Sequence, residues 1–269
     1  MRFVYMDEAG TSEKEPVTVV VGLVVEADAH LMAIEAAVSE ILGGVPSQYR
    51  TQKNFVFHAK EIWGDSRMRE GWTQAHRLAI LKSMMHLPRR FGIPIVLSMY
   101  RRSAQFEGIE STGMSVAQFQ HFMAFGNCIA SADRYIRDYA RPSEVGTVVA
   151  EDVPEMRRFL ARAVSLWREN SFSFSPDQLI PTAKEVEQGF LRQVGDLRVT
   201  RLRRNIHFVE KGDPMLMVAD ACAYGFRRFL AEQSFGDEFV EAMLGGRLNI
   251  DDYRGPCAMD NFYSHPRTI

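Results

Sequence analysis

Cysteine is scarce, with three in 269 residues. Cys128, Cys222 and Cys257 stand far apart, with no Cys-x-x-Cys pair and no histidine at zinc-ligand spacing. That pattern argues against a structural zinc site or a disulfide framework and makes a reducing compartment the default. Missing too is any apolar stretch near the roughly 18 residues that span a bilayer. No basic leader with an apolar core precedes the first strand-like segment, so a cytoplasmic location is expected. The glycine-rich loops that cradle phosphates and the Gly-x-Ser-x-Gly elbow of serine hydrolases are both absent. Charge of one sign is lacking as well: the formal net charge is −2, so no global field draws the chain onto nucleic acid.

What remains is the composition of an ordinary globular protein, 46% hydrophobic and 25% charged, long enough for a sizeable core. Apolar and β-branched runs predict strands at residues 3–6, 17–25, 93–100, 145–150 and 206–209. The polar loop 9–16 between the first two favours an antiparallel hairpin. Asp28 is placed to cap a helix carrying Leu31, Ile34, Val38 and Ile41 at a period near 3.6, ended by Gly43-Gly44. Further helices are expected over residues 68–91, 115–139, 154–167 and 213–232, while 171–176 reads as an edge strand or a loop. With no repeat, low-complexity tract or long linker, residues 1–269 read as a single α/β domain. Its sheet starts as a hairpin, and its later strands alternate with helices.

Carboxylates recur at the ends of these apolar runs. Asp7-Glu8 closes the first, just before Gly10, and Glu151-Asp152 closes the strand at 145–150. A strand buried on both faces gains nothing from terminal anions unless a cation or solvent compensates them. Asp152 begins Asp-Val-Pro-Glu, a capping-box spacing, which leaves Glu151 as the better candidate ligand. Asp220 is the only charged residue between Asp213 and Arg227, on a segment apolar nearly all round and so expected to be buried. Asp213 and Pro214 suit its N-cap and first helical position. A lone buried Asp must be neutralised, hydrogen-bonded or bound to a cation. His58-Ala59-Lys60-Glu61 adds a fourth acid; if helical, His58 and Glu61 share a face, and His58 could ligate a metal, move protons or only bond Glu61.

Several carboxylates converging at one end of a sheet suit two-metal phosphoryl transfer, in which ions about 3.5–4 Å apart activate a water and stabilise a leaving oxygen. The densest basic cluster, Arg198, Arg201, Arg203 and Arg204, offers a grip on phosphate through bidentate hydrogen bonds. Its plainer reading is a solvated, salt-bridged face.

At these same residues the chain resembles DUF3800, a family of bacterial and phage proteins grouped with the ribonuclease H-like superfamily. The matching stretches are Tyr5-Met6-Asp7-Glu8-Ala9-Gly10, where the family has Tyr-x-Asp-Glu-Ser-Gly, then His58-Ala59-Lys60-Glu61-Ile62 and Val218-Ala219-Asp220-Ala221-Cys222-Ala223-Tyr224. The resemblance implies a ribonuclease H-like domain with helical insertions. Acids of the first strand, a middle strand and the last helix would meet at one metal site. Asp7, Glu61, Glu151 (or Asp152) and Asp220 would form the acidic set for Mg²⁺ or Mn²⁺, with Glu8, His58 and Tyr224 as accessories. Arg201, Arg203 and Arg204 would hold a DNA or RNA backbone. The resemblance does not settle the substrate, and the leading expectation is a nuclease or related phosphoryl-transfer enzyme of phage or mobile-element biology. Ala9 replaces the usual Ser and Met217 a frequent Gln, each removing a polar group beside an acid. The alternative is a non-catalytic binding module on the same fold, its acids serving structural hydrogen bonds.

Overall fold

The computed structural model describes residues 1–52, 55–64, 70–104, 106, 108–169 and 199–246, together with the backbone of 257–264. Strands β1 (Arg2–Ala9) and β2 (Val17–Glu26) form an antiparallel hairpin. β3 (Ile95–Arg101) lies antiparallel to β2, and β4 (Gly146–Glu151) and β5 (His207–Val209) continue the sheet in parallel on the other side of β1. A sixth strand, β6 (Cys257–Ser264), pairs antiparallel with β3, so the order is β5-β4-β1-β2-β3-β6. β1 is therefore central, and its last residues lie beside the end of β4.

Strand alternation builds two cores. Tyr5, Val19, Val21, Leu23 and Val149 face one side. There they pack against α1 (Ala27–Gly43), α3 (Ala59–Gly64), α4 (Gln74–Arg90), α7 (Pro214–Leu230) and α8 (Gly236–Leu244); the short α2 (Ser47–Arg50) adds Tyr49. Val4, Met6, Val20, Val24, Val148 and Ala150 face the other side, under α5 (Val116–Tyr139) and α6 (Pro154–Glu169). Burial on both faces accounts for the unbroken apolar character of β2. The mixed α/β sheet flanked by helices matches the expected class at that level.

Several local expectations need correction. The strand at 206–209 is not the last: Asp260 and Asn261, poor strand formers, interrupt the apolar pattern of β6 in the sequence. Asp28 does not cap α1. β2 runs directly into that helix, Glu26 takes the N-cap position without a side-chain bond, and Asp28 sits in the first turn, 3.2 Å from the Met1 amine. α4 starts at Gln74 rather than near 68, capped by the Thr73 hydroxyl accepting from the His76 amide; the turn at Gly71, at φ +69°, separates it from what precedes. The Asp213 cap and Pro214 start of α7 are as expected, with Asp213 Oδ1 accepting from the Met215 and Leu216 amides at 2.8 and 3.2 Å. α5 opens with a full capping box between Ser115 and Gln118. The stretch 171–176 and Arg198 lie outside the described residues. Among the described residues no helix is long and apolar enough to cross a membrane.

Gly10 lets the chain leave β1 at φ +77°, and a Cβ there would lie 2.0 Å from the Val17 carbonyl oxygen. Arg102 fastens the same turn, donating through Nη2 to the carbonyls of Gly10 and Ser12 and to the Thr18 hydroxyl at 2.8–2.9 Å. Gly10→Ala should therefore cost at least about 2 kcal/mol in chemical denaturation, since backbone strain and a backbone clash coincide. Gly92→Ala, at φ +62° with open space around the Cβ position, should lose only about 1 kcal/mol. Equal losses would show that the close approach to Val17 is immaterial.

Candidate functional site

The two acids that close β1 are adjacent in sequence but separated by the strand itself. Asp7 shares the face of Tyr5 and turns toward α7, whereas Glu8 shares the face of Val4 and Met6 and turns toward α5. Asp7 is 3% exposed. Its Oδ1 accepts the Glu8 amide at 2.7 Å, while its Oδ2 is buried with no hydrogen-bond partner among the described residues. Glu8 instead meets His121 of α5, with Oε2 3.4 Å from Nε2. Burial would raise the Glu8 carboxyl, but the His121 imidazole and the more distant Lys211 ammonium outweigh it and hold it below the usual range.

Asp220 reaches the same end of the sheet from the middle of α7. Its Oδ1 lies 2.9 Å from His58 Nδ1, and its Oδ2 accepts the Ala59 amide at 2.7 Å. The carboxylate thus caps the N-terminus of α3 from outside that helix, satisfying an amide that has no intrahelical partner. His58 bonds Asp220 rather than Glu61, and Glu61 is on the exposed side of α3. Glu61 is thus not gathered with Asp7 and Asp220.

Glu151 ends β4 on the same face as Val149, one step beyond the Met6–Ala150 pairing and therefore beside Asp7. Its Oε2 is 3.1 Å from the Nζ of Lys211, which stands in the turn after β5. Asp152 diverges from this group: Oδ2 binds Arg157, and among the described residues Oδ1 has no partner and neither oxygen caps α6. The capping-box expectation fails because Arg157, one turn into the helix, takes the carboxylate first. Tyr224, one turn beyond Asp220, accepts a hydrogen bond from Arg228 at 3.1 Å and carries Arg227 over its ring.

Charge ties these groups together. Burial raises the Asp7 carboxyl well above its ordinary range; Asp220, then Glu8 and Glu151 add to the rise, and Lys211 opposes it. Burial pulls the Lys211 ammonium down, but the charges of Asp7, Glu151 and Asp220 more than offset that and leave it raised. One ammonium is thus set among three carboxylates. Among the described residues no group of three or more histidines, cysteines or carboxylates is placed to hold a metal ion as the side chains stand. The donors nearest one another are hard oxygens, suited to Mg²⁺, Mn²⁺ or Ca²⁺ rather than to softer ions.

The arginine run lies elsewhere. Gly146 pairs with Leu202, and its amide and carbonyl bond Arg201 and Arg203. The run therefore adjoins the start of β4, five residues and roughly 16 Å from Glu151 at its end. Arg201 binds the Pro142 carbonyl, and Arg204 sits 3.1 Å from Glu169. Cations at the acidic end include Lys211, Arg102 and Arg157, the last 56% exposed and stacked over Phe208, with Lys60 and Arg227 paired to Glu15 close by. Lys211 and His121 were missed in the sequence. Lys211 had a faint signal, as a cation just after a strand that ends beside another strand's acids; His121 had none, lying within an aromatic-rich helix.

Comparison with protein-family profiles, with curated proteins and with solved structures gives no match.

Folding a carboxyl whose pKa is raised takes up a proton, so its stabilising contribution is full below the unfolded carboxylate range. That contribution is lost as the pH rises through the folded value. In metal-free protein, the melting temperature should fall from pH 5 to pH 8 because of Asp7, and Asp7→Asn should flatten that fall. At pH 8 the variant should melt about 2–4 °C above the wild type, the shift about 1 kcal/mol produces at this size. Parallel pH profiles for the two proteins would refute the electrostatic cost assigned to Asp7.

Proposed function

We propose that this chain is a divalent-metal-dependent phosphoryl-transfer enzyme, a nuclease acting on nucleic acid, on a ribonuclease H-like sheet. The observation that carries the reading is the buried Oδ2 of Asp7 at the end of the central strand, without a partner among the described residues, on a carboxyl that feels the charges of Asp220 and Glu151. A buried anion without a partner is costly, and a hard cation is the partner this donor set fits. The fold supports the reading through its N-terminal hairpin, its central first strand and a middle strand that delivers Glu151 beside Asp7. The motifs that carry the resemblance to DUF3800 supply Asp7, His58 and Asp220. Asp220 belongs to α7, which α8 and β6 follow, so it is a late helix rather than the last.

A bound Mg²⁺ or Mn²⁺, held by Asp7 and Asp220 with Glu151 close by, would supply an activated water and neutralise charge on a phosphodiester. The chain's own groups prepare that site. The Glu8 amide fixes one oxygen of Asp7, and His58 with the Ala59 amide fixes the rotamer of Asp220, the outer-shell role that orients ligands in metal sites. We assign the contact with a phosphate backbone to Arg157, exposed beside its partner Asp152 at the start of α6, rather than to the Arg201–Arg204 run at the other end of β4.

One observation favours the rival, a non-catalytic module. Both oxygens of Asp220 already accept hydrogen bonds, and Glu151 is already paired. The two readings diverge on metal. For an enzyme, millimolar Mn²⁺ raises the melting temperature by mass action and cleaves labelled single-stranded DNA or RNA, and Asp7→Asn loses both effects. His58→Ala should weaken the Mn²⁺ response about 10–100-fold, as loss of an orienting partner does. A wild-type melting curve indifferent to Mn²⁺ and Mg²⁺, with no cleavage, leaves the binding module standing.

A further inference from the structure

We propose that Lys211 takes the place of a second metal ion, so that the site holds a single divalent cation, between Asp7 and Asp220, with the Lys211 ammonium beside it at Glu151. The inference rests on the metal-dependent reading above and departs from the two-ion arrangement that converging carboxylates suggest.

Position is the first argument. Lys211 lies in a tight turn, closed by the Asp213 amide donating to the Glu210 carbonyl at 3.1 Å, between the end of β5 and the capped start of α7. Both flanks are tied to the framework: Val209 pairs beside Glu151 in the sheet, and the Val209 carbonyl accepts the Asp152 amide at 3.0 Å. The backbone therefore delivers this ammonium to Glu151 Oε2, at 3.1 Å, with the side chain only 32% exposed. A lysine paired loosely at the surface would have neither constraint.

Charge is the second argument. Asp7, Asp220 and Glu151, once ionised, set three negative charges against one ammonium, which leaves two for a divalent cation to cancel. Two divalent ions in the same place would leave the pocket with excess positive charge in a setting of low dielectric, where like charges a few ångströms apart repel by several kcal/mol. The other charges nearby are already committed: Glu8 turns to His121 across the sheet, and Arg157 is held by Asp152. The third argument is the ligand supply. With Glu151 Oε2 engaged by Lys211, the buried acceptor on this face without a partner among the described residues is Asp7 Oδ2, the natural anchor for one ion together with Asp220. As a compact point charge, an ammonium can meet a phosphate oxygen without further ligands.

Isothermal titration of the full chain with MnCl₂ tests the proposal, with melting curves to verify folding. Wild type and Lys211→Arg should each bind one ion. Lys211→Met, which keeps the aliphatic stem but frees Glu151, should bind two. Two ions in the wild type would overturn the proposal while leaving the metal-dependent reading intact. So would one ion in Lys211→Met at wild-type affinity, which would make Lys211 a structural ion-pair partner. No ion in the wild type would overturn the metal-dependent reading and this inference together.

Discussion

Everything at the acidic end of the sheet follows from one constraint: Asp7 and Asp220 are held near each other by parts of the protein that cannot yield. β1 is hydrogen-bonded to β2 on one side and β4 on the other, so the end of the strand has no freedom to swing away. α7 is buried along its whole length, and its position across β1 and β2 is fixed by packing around Met215, Val218, Cys222 and Phe226. The hydrophobic effect of that helix sets the distance between two carboxylates that would separate if they were free to. Their repulsion is the cost, and Lys211, His58 and two backbone amides offset part of it.

Asp220 shows how one side chain can serve framework and site together. By capping α3 it anchors the segment that carries His58, and His58 in turn fixes the carboxylate's orientation. The two roles are compatible because a carboxylate has about four lone-pair directions and these bonds use two of them. The hydrogen bonds on Asp220 thus leave room for a further partner without calling for one, whereas Asp7 Oδ2 is buried with none among the described residues.

The sequence made the central elements legible because their signals are local. β1 and β2 announce themselves by β-branched apolar runs, α7 by its Asp213-Pro214 start, and the importance of Asp7, Glu151 and Asp220 by the cost of placing acids in such company. What it hid depends on partners distant in the chain. Glu8 looked like a twin of Asp7, yet alternation along the strand sends it to the opposite face, where His121 waits 113 positions later in the chain. Asp152 looked like a helix cap until Arg157 competed for it. Glu61 shared a motif with His58 but points to solvent. The arginines at 201–204 were dense enough to suggest a phosphate grip, but their register against Gly146 puts them at the wrong end of the strand. Lys211 was only faintly legible, because nothing in Glu210-Lys211-Gly212 tells which strand end the turn will meet.

The electrostatics also order events at the site. With three carboxylates and one ammonium, the end of the sheet is net negative once its acids ionise, and a polyanionic backbone would be repelled from it. On the proposed reading a bound divalent cation would remove that barrier and relieve the carboxylates' mutual repulsion. Occupancy by cation and approach by phosphate would then favour one another, and thermodynamic linkage would make that preference reciprocal. On the proposed reading Lys211 would set the starting point of the coupling: it lowers the residual charge to what one divalent ion could neutralise, so that a single binding event would turn a repulsive pocket into one that admits a phosphodiester.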